Sequence, residues 1–189
     1  MIASLARAGR YVGTLIAAFA ITLAVSAPAS LAQEGTPHLL LELESGTVDI
    51  ELLPDLAPQH VERVIELTER GFYDGVVFHR VIDGFMAQTG DPTGTGMGGS
   101  ELPDLQAEFS DVPFERGVVA AARTADPDSA NSQFFITYAD APHLSGQYTV
   151  WGRVVDGMDA VDAVKKGDPG GNGLVQDPDA IVSATIEYR

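Results

Sequence analysis

The sequence predicts a mainly β fold: a closed antiparallel barrel with two helices packed against it. Three observations support this. Short β-prone runs recur along the chain, separated by loops rich in Gly, Pro and Asp. Only two stretches carry helical periodicity. Strands and helices do not alternate as a parallel βαβ sheet requires.

Taken in order, residues 39–43 are almost wholly apolar, and residues 47–52 alternate apolar and polar as a half-buried strand does. The Ser45-Gly46 pair between them marks a hairpin turn. Pro58 stands where a helix can begin, Val61, Val64, Ile65 and Leu67 follow at helical spacing, and Gly71 is a natural stop after Arg70. Further β-prone runs cover residues 76–81, 85–88, 118–122, 134–137, 148–155 and 181–188. A second helical pattern runs from Met158 to Lys166 and ends at Gly167. No internal repeat or low-complexity tract follows residue 37.

The first 32 residues read as an address. Arg7 and Arg10 lie in a short start without acidic residues, and an apolar run follows from about Val12 to Ala27. Ser30-Leu31-Ala32 then fits the small-x-small pattern that a signal peptidase cuts. The run is shorter than the roughly 20 apolar residues of a bilayer span, so cleavage is expected rather than stable membrane insertion. Residues 33–37 form an expected flexible leader, and residues 38–189 the expected domain. With no cysteine, no disulfide can stabilise that domain and no N-terminal Cys can carry lipid.

The whole chain carries a net charge of −16; removing Arg7 and Arg10 leaves −18 on residues 33–189. That charge would repel nucleic acid phosphates and anionic lipid headgroups. It suits a dispersed, monomeric exported protein.

Several motifs fail on inspection. Gly94-Thr95-Gly96-Met97-Gly98-Gly99 suggests a dinucleotide loop, but Pro103 breaks the helix that should follow. Asp126-Pro127-Asp128 begins like a calcium loop, but Asn131 and Thr137 stand where Gly and Glu are needed. His38, His60, His79 and His143 have no metal-ligand spacing, so no metal or other cofactor is expected. A Gly-x-Ser-x-Gly elbow is also missing.

What remains is residues 78–88, Phe-His-Arg-Val-Ile-Asp-Gly-Phe-Met-Ala-Gln. Strand alternation would put Phe78 and Arg80 on one face and His79 on the other. The Asp83-Gly84 turn would return Phe85, Met86 and Gln88 beside them. Read by pattern alone, Phe85 and Met86 also fit a core and Arg80 a solvated charge; the alternative is a site.

Residues 78–99 closely resemble the main signature of the cyclophilin-type peptidyl-prolyl isomerases. Residues 130–136 resemble that family's second motif and residues 150–154 its third, so the resemblance spans residue 39 to the C-terminus. It implies an eight-stranded barrel with two capping helices and a peptide groove on the outer face. Arg80 matches the catalytic arginine, and Gln88 the amide that orients it and the substrate backbone. Phe85, Met86, Phe135 and Leu144 match the proline pocket. Gln133 lines the groove, and Ala122 with Arg123 matches the segment bonding the substrate main chain. The 123–126 stretch looks bacterial.

Two positions depart from well-known eukaryotic members. His143 replaces a tryptophan that supplies contact surface and an indole donor to cyclosporin, so weak cyclosporin binding is expected. Tyr148 replaces a groove histidine, and can still donate a hydrogen bond and pack on proline. Both remain expected substrate-binding positions. The implied activity is X–Pro cis/trans isomerisation of exported polypeptides, expected in the periplasm, with full secretion as the alternative. The competing reading is a proline-peptide binding module or chaperone of the same fold, in which turnover is incidental.

Overall fold

The computed structural model describes residues 35–189. The expected signal segment 1–32 and the first two leader residues lie outside these. Eight strands form one antiparallel sheet: β1 (Pro37–Leu43), β2 (Gly46–Leu52), β3 (Arg80–Ile82), β4 (Met86–Thr89), β5 (Val118–Ala121), β6 (Phe134–Thr137), β7 (Val150–Asp156) and β8 (Ile181–Tyr188). Their order across the sheet is β3-β4-β6-β5-β7-β2-β1-β8. The ends of the leader and chain are tied together, since Thr36 N donates to Arg189 O and Arg189 N returns a bond to Thr36 O.

The expected closed barrel is corrected by this order: the sheet curls into a half-barrel with β3 and β8 as its edges. The chain just before β3 meets the approach to β8 at one bridge, Val77 to Ala180, with the bonds Phe78 N to Asp179 O, Gly75 N to Ile181 O and Ile181 N to Val76 O around it, but β3 itself does not pair with β8. The reason is local. β3 is three residues long, and loop backbone already occupies its outer edge: Val81 N donates to Gly173 O, Val175 N to His79 O, and Gly167 N to Val81 O. No room is left there for a partner strand.

The first helix, α1 (Pro58–Glu69), opens on proline, whose fixed φ suits a first turn and whose missing N–H is not needed there. Its buried face carries Val61, Val64, Leu67 and Thr68 at helical spacing and packs against β7 and β8. The second, α2 (Met158–Ala163), stops short of the expected Lys166. Tertiary contacts end it. Val164 turns extended and buries itself in the core, and the Lys165 N–H leaves the helix pattern for Asp179 Oδ2 at 2.7 Å.

The apolar side chains segregate into two clusters. Inside the curl lie Leu39, Ile50, Phe78, Val81, Phe134, Ile136, Trp151 and Ile181. On the outer face lie Met86, Phe114, Val118, Ala120, Phe135, Leu144 and Val150. Strands β5 and β6 are therefore buried on both faces, which is why β5 and the first three residues of β6 read as apolar runs.

Candidate active site

The outer cluster is the floor of a groove whose side chains are set by register. In the β3–β4 hairpin Arg80 faces Gln88; across β4–β6 Gln88 faces Phe135; across β6–β5 Phe135 faces Ala120. Directly paired residues present their side chains to the same side of a sheet. One row thus carries a guanidinium, an amide and an aromatic ring side by side. The Asp83-Gly84 turn returns the chain as expected, with Gly84 in the left-handed region at φ 68°.

A cavity of about 170 Å³ opens along this row, lined by Arg80, Phe85, Met86, Gln88, Ala122, Arg123, Phe135, Leu144 and Tyr148. It is smaller than the roughly 300–1,000 Å³ of sites for drug-sized ligands, and fits one small ring. The Phe135 ring lies stacked on Phe114 at 6.1 Å and edge-on to Tyr148 at 5.5 Å, so its orientation is held on both sides.

Arg80 is held from two directions. Its Nη1 donates to Gln88 Oε1 at 3.1 Å, while its Nε and Nη2 donate to the carbonyl and side-chain oxygens of Asn172, at 3.0 and 3.1 Å. Nη1 also lies 4.0 Å from Met86 Sδ, at the cavity wall. Partial burial lowers the guanidinium pKa, and the nearby Tyr148 opposes that shift. Behind it the polar chain continues. Gln88 Nε2 donates to Gln133 Oε1 at 2.9 Å, and Gln133 Nε2 donates to the carbonyls of Gly98 and Gly96 at 2.7 and 3.2 Å.

The Gly-rich loop that receives Gln133 is organised by a buried carboxylate. Asp91 accepts the backbone N–H groups of Thr93, Thr95, Gly96 and Gly98. Burial alone would raise its pKa, but the donors from Thr93, Gly98 and Gly96 outweigh burial and hold it at about 2. A side chain at position 98 could not fit, because its Cβ would lie 2.2 Å from Asp91 Oδ1. The loop lines a second cavity of about 350 Å³.

Arg123 stands between the two cavities, as does Ala122. Its guanidinium lies 4.7 Å from the centre of the Tyr148 ring and donates to Gln147 O. Gln133 borders the second cavity rather than the first. His143 does not line the smaller cavity: it is exposed on a short 3-10 turn, its ring tilted against Phe85 at 5.7 Å on the rim. The expected sharing of a face by Phe78 and Arg80 also fails. The chain is not a regular strand before Arg80, so Phe78 enters the inner core while Arg80 lines the groove, and His79 is buried as well. Sequence reading missed Asp91 and Asn172. The first shows only as a turn residue, and the second lies 92 positions from its partner with no motif around it.

Comparison with known proteins agrees with this geometry. The family model for cyclophilin type peptidyl-prolyl cis-trans isomerase/CLD matches residues 38–186. A probable peptidyl-prolyl cis-trans isomerase of Brucella suis biovar 1 (strain 1330) is 55% identical over 160 residues, covering 79% of this chain and 82% of the relative. Peptidyl-prolyl cis-trans isomerase-like 3 of Rattus norvegicus is 43% identical over 130 residues, covering 67% and 80%. Among solved structures, a Cryptosporidium parvum cyclophilin type peptidyl-prolyl cis-trans isomerase, determined in the presence of the dipeptide Ala-Pro, superposes with a TM-score of 0.74. It is 28% identical, and the match covers 80% of this chain and 99% of that one. By motif, fold and kinship, the chain belongs to the family of cyclophilin type peptidyl-prolyl cis-trans isomerases.

Proposed function

We propose that Arg80 is the catalytic donor for rotation about X–Pro bonds, with the proline ring seated on Phe85, Met86, Phe135 and Leu144. A peptide C–N bond resists rotation by ~18–20 kcal/mol because of its partial double-bond character. As the bond twists, the proline nitrogen turns pyramidal and regains a lone pair. An N–H aimed at that nitrogen binds the twisted amide better than the planar one, and only such a difference lowers a barrier. No covalent bond breaks, so the chemistry asks for no nucleophile and no cofactor.

The observation that carries this reading is the shared wall: the Arg80 guanidinium and the apolar rings line one cavity of about 170 Å³. Three of the five guanidinium N–H groups are engaged by Gln88 and Asn172. Among the described residues, the remaining donors meet no stronger acceptor than the Met86 sulfur. Gln88, anchored through Gln133, orients the guanidinium, and Ala122 and Arg123 flank the path of the substrate backbone. The Ala-Pro dipeptide named with the Cryptosporidium parvum structure supports a proline-containing ligand.

Arg80→Ala should lose about 10²–10³-fold in turnover of a proline tetrapeptide while still binding it. Wild-type turnover in that variant would remove Arg80 from the reaction. The clients we place among exported polypeptides, because residues 1–32 have the pattern of a signal peptide, and the protein as a monomer, because its strong net negative charge keeps copies apart. N-terminal sequencing of protein from a periplasmic fraction should begin near Gln33; an intact Met1 in that fraction contradicts it.

A further inference from the structure

We infer that Asn172 is a positioning residue for the isomerase reaction, fixing the Arg80 guanidinium on the side opposite Gln88. The inference rests on Arg80 being the catalytic donor. Without the Asn172 side chain, Gln88 Oε1 would hold Nη1 and the carbonyl of residue 172 would hold Nε, each through one bond, and Nη2 would lose its acceptor. The planar group could then tilt about the line joining those two bonds. The carbonyl and amide oxygens of Asn172 take Nε and one Nη2 hydrogen, at 3.0 and 3.1 Å. Two acceptors on one residue match the fork of the guanidinium, and with Gln88 they define its plane and direction.

The backbone around Asn172 is shaped to allow this. Asn172 has φ 57°, in the left-handed region, where Asn is tolerated far better than most side chains. It follows a short 3-10 turn, Pro169–Gly171, capped by Asp168, whose side chain accepts from Gly170 N. Next to it Gly173 brings the loop against β3: a Cβ there would lie 2.5 Å from Ile82 Cγ1 and 3.0 Å from Val81 O. The bonds from Val81 N to Gly173 O and from Val175 N to His79 O pin the loop on both sides of the Arg80 position. The edge of β3 left without a partner strand is thus the edge on which the loop presents Asn172 to the guanidinium.

Asn172→Gly is the discriminating variant, because glycine keeps the left-handed backbone without strain and deletes only the amide. Its turnover on a proline tetrapeptide should fall about threefold to tenfold, with peptide affinity and melting temperature unchanged. Asn172→Asp, which keeps an acceptor oxygen, should recover most of that loss. In an Arg80→Ala background, Asn172→Gly should have no further effect. Wild-type turnover in Asn172→Gly beside a large loss in Arg80→Ala overturns this inference alone. So does an Asn172→Gly loss that persists in the Arg80→Ala background. Wild-type turnover in Arg80→Ala overturns both this inference and the catalytic role of Arg80.

Discussion

The inner and outer apolar clusters share strands β4 to β7, often through adjacent residues, yet differ in how they are closed. On β6, Phe134 and Ile136 face inward while Phe135 faces the groove; on β4, Ala87 faces inward while Met86 faces out. The inner rings meet edge to face in a closed set, Tyr73 to Phe134 at 5.6 Å and Phe134 to Trp151 at 5.3 Å. The outer set is left open on one side, where Phe85 and Tyr148 are only partly buried. On β4 and β6 a two-residue period therefore separates a face closed in the inner core from a face open to the groove. A half-barrel whose outer face still needs cover supplies its own pocket floor.

The largest effect that tests this division compares two neighbours. Phe134→Ala should cost about 3–5 kcal/mol of stability, as large-to-small changes in closed cores do, with activity retained in the molecules that remain folded. Phe135→Ala should lose less stability but raise the peptide concentration needed for half-maximal turnover. Chemical denaturation and peptide titration on the two variants check this. If Phe134→Ala weakened peptide binding more than Phe135→Ala, the comparison would break.

Next in size is the carboxylate beneath the Gly-rich loop. Asp91→Asn should cost about 2 kcal/mol, since backbone donors that now meet a charged acceptor would face a neutral amide. With a folded pKa of about 2, below the usual 3.8, Asp91 stabilises the fold fully above pH 3.8 and ceases to as pH falls through about 2. The gap in stability between wild type and Asp91→Asn should accordingly narrow over that interval. A gap constant with pH would assign the loss to something other than ionisation.

The rim of the outer face gives a smaller test. His143 sits exposed against Phe85 where a larger indole is expected in other members, so cyclosporin should bind weakly, in the micromolar range at best. Nanomolar inhibition of the purified protein would show that the rim contributes little to that contact.

The mildest effect concerns the buried histidines. Burial lowers the pKa of His60 below 6.5 despite the opposing Glu108 carboxylate 2.7 Å from Nδ1, and burial likewise lowers that of His79. The unfolded chain then takes up protons that the folded one refuses, so stability declines as pH drops below about 6.5. The denaturation midpoint should fall modestly between pH 7 and pH 5. Glu108, its own pKa lowered by bonds to His60 and Gln59 that outweigh burial, remains ionised across that range.

Much of the fold was legible beforehand. The β1–β2 hairpin, the start and end of α1, and the positions of β6 and β8 follow from β-prone apolar patterning, Pro58, Ser45-Gly46 and Gly71, all signals carried within a few residues. The pairing of Arg80 with Gln88 followed from the Asp83-Gly84 turn, and the resemblance brought Phe135, Leu144 and Tyr148 to the same cavity. The length of α2 was not legible, because Val164 leaves the helix for a core position and Lys165 for Asp179. Nor was the burial of both Phe78 and His79, which depends on backbone that is not regular strand.

Taken alone, the sequence determined which segments pair locally, which side chains supply a cation, an amide and an apolar socket, and the family to which those motifs point. Tertiary structure alone decided that the barrel stays open at β3, that the 167–175 loop takes that edge, and that Asn172 reaches Arg80 across 92 positions. Turns and periodicity act through steric contacts between near neighbours and can be read from a short window. A hydrogen bond between distant residues exists only after every intervening element has been placed, and no short window contains that information.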